Sequence, residues 1–452
     1  MANVLSTAKP LTVNPLKLSQ PLGGASAFMG LAGSLPMLHA AQGCTAFALV
    51  LLVRHYREAI PFQTTAMNEV TTILGGKDNL EEAIINIVNR AHPKVIGICS
   101  NGLIEARGED IRGDLKLIRQ RHPELADTAL VYASTPDYKG GFQEGWASAV
   151  TAMVDQLVEP EIARNPRQIN ILAGCHLTPA DLEEIRDTVE AFGLHPIILP
   201  DIAGSLDGHI ADEWVLTTLG GTSVEDIRHM GRSIATLALG LQLEPAARLI
   251  EARCGVPAEV YPHLTGLLAW DNFIAALARL SGKPVPQSIR RRRSQLLDAM
   301  LDGHFYFGKK KIAIAAEPDL MLGLTQFFAD MGAEIETAVT TSDGAALALV
   351  PAKEVRIGDL DDLEQAAGHC DLLIAHSHGA RVAERLGVPF FRAGFPLFDR
   401  LGAAHKLSVG YRGTRDLIFE IGNLFIEHQH HNHQPHNHQT REHGTDAAVA
   451  SH

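Results

Sequence analysis

Cysteine is scarce in this chain of 452 residues: there are five, scattered at positions 44, 99, 175, 254 and 370. An odd, widely spaced set fits neither a disulfide framework nor a CxxC zinc site, so reduced thiols are expected. Long apolar stretches are missing too. The longest run, 46–53, is far too short to span a bilayer, and residues 1–17 show no basic start followed by an apolar core, so a cytoplasmic protein without a membrane partner is expected. Basic residues are outnumbered, 39 Lys and Arg against 52 Asp and Glu, and the net charge of −13 disfavours binding to nucleic acid. Phosphate-binding motifs are absent as well. No GxGxxG follows an apolar run, and the nearest phosphate-loop lookalike, Gly303 to Lys309, has Lys310 where Ser or Thr is needed and precedes a strand when it should follow one. No Ser-His-Asp or paired-carboxylate set can be nominated, so independent catalysis has no support among the residues.

What is present is a globular composition, 46% hydrophobic and 20% charged, in a chain long enough for two to four domains. Short apolar runs at 95–99, 129–133, 169–173, 196–200, 214–219, 233–239, 311–316, 334–341 and 371–375 alternate with helix-length amphipathic segments. Strands that are apolar throughout imply sheets covered by helices on both faces, hence a parallel α/β core. Asp78-Asn-Leu-Glu81 has the form of a capping box before a helix, and Thr178-Pro179 begins another that runs toward Phe192-Gly193. Four consecutive arginines, Arg290 to Arg293, read as a solvated helix start within a helical block at 264–303.

Breaks in this rhythm divide the chain into three α/β domains, 1–162, 163–305 and 306–427, and a tail, 428–452. The tail carries His428, His430, His431, His433, His436, His438 and His443 among Gln and Asn, with almost nothing to bury. It is expected to be disordered and to bind divalent transition metals weakly through neutral imidazoles.

The thiols differ in what surrounds them. Cys99 ends an apolar strand and reads as a small buried hydrophobe, and Cys254 and Cys370 say no more. Cys175, in Gly174-Cys175-His176, closes a strand where ligand-facing residues gather, yet no base or metal spacing accompanies it. Cys44 stands alone in Gln42-Gly-Cys-Thr-Ala-Phe, with no second cysteine within fifty residues, so any metal it binds takes its other ligands from elsewhere.

Around Cys44 lie Ser19-Gln-Pro-Leu-Gly, Arg54-His-Tyr-Arg-Glu, Gln63-Thr-Thr-Ala-Met-Asn-Glu and Ser100-Asn-Gly-Leu-Ile-Glu-Ala-Arg-Gly-Glu-Asp. In order and spacing these five stretches resemble the nitrogenase molybdenum–iron protein family, over most of the chain. That resemblance implies three Rossmann-like parallel-sheet domains of the nitrogenase component 1 type. The family's catalytic β subunit supplies three cysteines to an eight-iron cluster; the matching positions here are Ser19, Cys44 and Gly102. A hydroxyl and a glycine hydrogen cannot replace two thiolates, so a smaller cluster is implied. The likeness is therefore to the scaffold branch, paralogous to the catalytic β subunit. For that branch it implies that Cys44 is the one ligand from this chain to a [4Fe–4S] cluster shared with a NifE partner, in a heterotetramer with two copies of each chain. It further implies that the complex holds the iron–molybdenum cofactor precursor while molybdenum and homocitrate are added, that the nitrogenase iron protein and cofactor donor and acceptor proteins are partners, and that no nucleotide binds here. A catalytic β-type subunit, of nitrogenase or of dark-operative protochlorophyllide reductase, is the alternative; Ser19 and Gly102 weigh against the first, and the Arg-His and Gln-Thr-Thr stretches against the second.

Overall fold

The computed structural model describes residues 2–6, 9, 12–210 and 212–433. Fourteen strands among them form three sheets, and every strand pair is parallel. The chain opens with β1 (Asn3–Ser6). The first sheet contains β2 (Ser34–Leu38), β3 (Gln63–Thr64), β4 (Val95–Cys99) and β5 (Ala129–Ala133), in the order β3-β2-β4-β5. The second contains β6 (Gln168–Ala173), β7 (His195–Leu199), β8 (Thr236–Leu239) and β9 (Ala258–Tyr261), in the order β7-β6-β8-β9. The third is built from β10 (Lys311–Ala316), β11 (Glu334–Thr340), β12 (Glu354–Ile357), β13 (Leu372–Ala375) and β14 (Phe390–Arg392), with β1 returning to its edge beside β12. The first residues of the chain thus belong to the third sheet, and position 305/306 falls inside the helix Gln287–Phe307.

Two expected features are corrected. The apolar run 214–219 forms no strand: Trp214 is 78% exposed, and the segment instead braces the start of β2, with the Thr218 N–H donating to the Ser34 carbonyl at 3.0 Å and the Ser34 N–H to Thr218 Oγ1 at 2.8 Å. The helix expected to be capped at Asp78 begins two residues earlier than that cap implies, at Lys77, with Gly76 as its cap. A Cβ at Gly76 would lie 2.7 Å from the His39 ring, so the backbone there is fixed by its neighbour and leaves no space for a capping side chain. Thr178, by contrast, does cap the helix Pro179–Ala191 in a reciprocal box with Asp181.

The phosphate-loop lookalike dissolves into the end of the helix Gln287–Phe307, where Gly303 packs on Ile418. In the same helix Arg290 and Arg291 are exposed, Arg292 meets Glu184 at 3.4 Å, and Arg293 grips Asp271 through Nε and Nη2. The final helix, Gly410–His433, carries His428, His430, His431 and His433, so the tail expected from 428 starts as helix; His436, His438 and His443 lie outside the described residues. Among the described residues no helix is long and apolar enough to cross a membrane.

One continuous apolar core joins the three units, running from Leu22 and Phe28 through Ile171 and Leu237 to Phe327 and Phe425. Its tightest contact is between α1 (Gln20–Phe28), whose residues are all buried, and the helix Phe142–Leu157. A Cβ on Gly23 would stand 1.9 Å from the Phe142 carbonyl oxygen, and one on Gly145 would stand 1.9 Å from that of Gln20. Glycine is required because backbone meets backbone. On its other side α1 lays Phe28 against β4, where Gly97 leaves room for the ring. Gly23→Ala is therefore expected to destabilise the protein by about 3 kcal/mol or more, measured by urea unfolding; an unchanged midpoint would contradict this contact.

Candidate metal centre at the Cys44 groove

α1 begins at Gln20 because Ser19 holds extended backbone before it and Pro21 fits its first turn. The Ser19 hydroxyl makes no capping bond. α2 (Gln42–Tyr56) follows β2, with Ala41 at its cap; no side chain closes its N-terminus, and Cys44 sits exposed in its first turn. Open amides at a helix start favour negative charge nearby, as a thiolate-bound cluster carries. A Cβ on Gly43 would meet nothing within 4 Å, so the first turn of α2 is open on that side.

Ser19 and Cys44 line one groove of about 470 Å³, with Lys17, Asn101, Asp137 and His378 around it. Asn101 caps the helix Gly102–Arg107 by accepting the Ile104 N–H at 3.0 Å; Gly102 is the first helical residue, and a Cβ there would lie 3.1 Å from the Tyr138 ring. The three positions singled out in the sequence therefore converge, the third through Asn101. Lys17, Asp137 and His378 were not anticipated. His378 was within reach of sequence reasoning, because it follows the apolar run of β13, and strand C-termini collect ligand-facing residues. Burial raises the Asp137 carboxyl, opposed by the Gly102 amide and Lys17, while burial and the Arg54 charge lower His378.

The other stretches turn out to be braces. His39 Nδ1 lies 3.0 Å from Thr65 Oγ1 and its Nε2 lies 3.4 Å from Glu109, whose other oxygen accepts the Gly76 N–H. This buried imidazole, pushed down by desolvation, ties Gln-Thr-Thr to Gly-Glu-Asp. At the other end of α2, His55 Nδ1 accepts the Leu397 N–H at 2.8 Å, Arg57 donates to the Phe398 carbonyl, and Arg54 lies over the Phe398 ring. Burial pushes His55 down to about 3, which keeps it neutral and able to accept that bond. His376 holds the Leu16 carbonyl at 3.1 Å, which fixes the segment leading into Ser19 against the third sheet.

These residues fit one corner of a cluster. Cys44 is accessible, no other thiol lines the groove, and among the described residues no three His, Cys, Asp or Glu side chains are placed to hold a metal ion. A cluster held at Cys44 would take its remaining ligands from beyond the described residues. Exposed apolar side chains continue from the groove: Phe47, 67% exposed, and Val50, 52% exposed, share a face of α2 with Cys44. Leu103 and Tyr138 flank the Gly102 side, and Arg107 donates to the Thr71 carbonyl of the short helix Glu69–Leu74, which exposes Val70, Ile73 and Leu74.

Cys175 and His176 lie elsewhere, at the junction of the three units. The Cys175 sulfur takes a hydrogen bond from Gln242 Nε2 at 3.5 Å, and desolvation by burial, with Glu317, Asp319 and Glu144 nearby, pushes the thiol up. His176 is held at about 4 by burial and neither ring nitrogen finds a partner. Burial raises Glu317 to about 8 and Asp319 to about 7. Cys99, Cys254 and Cys370 are buried.

Residues 19–426 match the family model described as nitrogenase component 1 type oxidoreductase, and the chain belongs to that family. It is 55% identical over 437 residues to a Bradyrhizobium diazoefficiens protein named nitrogenase iron–molybdenum cofactor biosynthesis protein NifN, covering 96% of this chain and 93% of that one. Proteins of the same name from Nostoc sp. and Klebsiella pneumoniae are 52% and 39% identical, covering 94% and 95% of this chain and 96% and 95% of theirs. A chain of the solved structure titled nitrogenase Cp1 at pH 6.5 superposes with a TM-score of 0.90 at 32% identity, covering 95% of this chain and 97% of that one.

Glu317 and Asp319 set a pH dependence. A carboxyl raised in the folded state binds its proton there at pH values where the unfolded chain has released it. Their stabilising contribution is present at low pH and is lost as pH rises from the ordinary carboxylate range through about 8 for Glu317 and about 7 for Asp319. Glu317→Gln is expected to flatten the fall in unfolding temperature across that window; a fall as steep as the wild type's would contradict the assignment.

Proposed function

We propose that this chain is a NifN-like subunit of a scaffold on which the iron–molybdenum cofactor precursor is matured, with molybdenum and homocitrate added before transfer to apo-nitrogenase. One observation carries the reading: a groove lined by Ser19, Cys44 and Asn101, the residue before Gly102, offers a single thiol. The name shared by the relatives supports the same role. Cys44 is then one ligand of a [4Fe–4S] cluster, and a NifE partner seated on the apolar face of α2 supplies the other three, in a heterotetramer of two copies of each chain. When bound, the cluster supplies one-electron transfer at a potential set by the surrounding hydrogen bonds and solvent exclusion. Ser19, Asn101 and His378 offer polar groups on this chain's side, and Lys17 a positive charge. The nitrogenase iron protein is the electron donor, using its own nucleotide. The precursor rests on the partner's side, and no residue of this chain is assigned to it. The histidines from His428 onward bind divalent metals weakly as an accessory feature.

Anaerobic co-expression with NifE, with iron counting and EPR on wild type and Cys44→Ala, tests this reading. The exposed position of Cys44 leaves the fold intact in the variant, and loss of the interface cluster's iron and signal is expected; unchanged iron and signal would overturn the assignment. Removal of residues 434–452 is expected to lower adventitiously bound zinc without separating the two chains, and dissociation of the complex would contradict that accessory role.

A further inference from the structure

The Cys44 groove holds few groups that can carry charge. Apart from the thiol, only Lys17, Asp137 and His378 among its lining residues ionise near neutral pH. Burial and the Arg54 charge favour a neutral His378, and burial favours a neutral Asp137 against the pull of the Gly102 amide and Lys17. Lys17 is thus the groove's one permanent cation. Among the described residues its ammonium makes no hydrogen bond and has no carboxylate at ion-pairing distance, so its charge is not spent on a neighbour.

The backbone holds Lys17 from both sides. Leu16 is 2% exposed, and its carbonyl accepts a hydrogen bond from His376 Nε2 at 3.1 Å. Gln20, 6% exposed, opens the buried helix α1. The aliphatic stem runs beside Gly141, where a Cβ would lie 3.3 Å from Lys17 Cγ and 3.3 Å from the Leu18 carbonyl oxygen. An exposed lysine on a loose segment contributes little, because screening and side-chain entropy offset its charge. Here the segment is fixed, and a partner seated on the α2 face would cover the groove and remove the screening water.

We propose that Lys17 raises the reduction potential of the cluster held at Cys44, by keeping a positive charge beside it on this chain's side. The proposal rests on the reading of Cys44 as a cluster ligand. A thiolate-bound cluster is an anion, and reduction, by the iron protein or by dithionite, adds one electron and one negative charge to it. A nearby cation favours the more negative state, and does so more strongly where water is excluded. Protonated lysine has three N–H donors and no lone pair, so it can meet the cluster sulfurs without competing for iron.

An EPR-monitored redox titration of the anaerobic complex with NifE tests this, with dithionite as reductant and iron counted in each sample. Lys17→Met keeps the stem and removes the charge. Its iron content is expected to match the wild type's, with the ratio of reduced to oxidised cluster at a given potential about tenfold lower, a one-electron shift of about 59 mV to more negative potential. Lys17→Arg keeps the charge and is expected to keep the wild-type potential. A wild-type potential in Lys17→Met would overturn the inference, as would loss of iron from that variant or an equal shift in Lys17→Arg. Wild-type iron and signal in Cys44→Ala would bring down the cluster reading itself, and this inference with it.

Discussion

Contact between the backbones of α1 and the 142–157 helix, made through Gly23 and Gly145, is the constraint from which the rest of the molecule follows. With Cβ atoms excluded, Gln20 and Phe142 approach as peptide groups, and α1 is buried along its whole length. Its N-terminus then emerges beside the start of α2, so that Ser19 and Cys44 share a groove although 24 intervening residues separate them. The same contact points Gln143 and Glu144 toward the third unit, where Gln143 takes the Asp319 N–H and Glu144 meets Ser342. The Cys44 groove therefore depends on one glycine-mediated approach.

Around that approach the polar stretches act as spacers. His39, buried and neutral, links Thr65 to Glu109, and through Glu109 fixes Gly76. His55 performs the same service toward the loop at Leu397. Each hydrogen bond of this kind contributes modestly when made, but would be expensive to lose because its partner would remain buried. The result is a rigid frame about an open thiol. Rigidity would matter at a shared metal site, where a chain that supplies one corner must present it where a partner's ligands can meet it.

The parallel architecture was legible because eight of nine apolar runs are strands covered by helices. The run at 214–219 misled because its apolar side chains lie on the surface and its backbone bonds to β2 as a loop. Strands that sequence reading missed are short or interrupted: β3 has two residues, β14 has three, and β2 carries Pro36. β1 could not be placed because its pairing with β12 spans about 350 positions, a contact no local pattern encodes. At the site, the convergence of Ser19 and Cys44 was legible through the family likeness. Lys17 and Asp137 were not, and His378, although it follows the apolar run of β13, enters the groove only through the packing of the third unit on the first.

The chain's chemistry is defined as much by the thiols it lacks as by the one it keeps. Ser19 and Gly102 leave Cys44 with no second thiol in its groove, and the apolar face beside it is suited to a second chain. Selenium-edge X-ray absorption on the anaerobic complex with NifE, with selenocysteine placed at position 44, tests this most directly. An iron neighbour in the selenium scattering is expected; a selenium bonded to carbon alone would contradict the account.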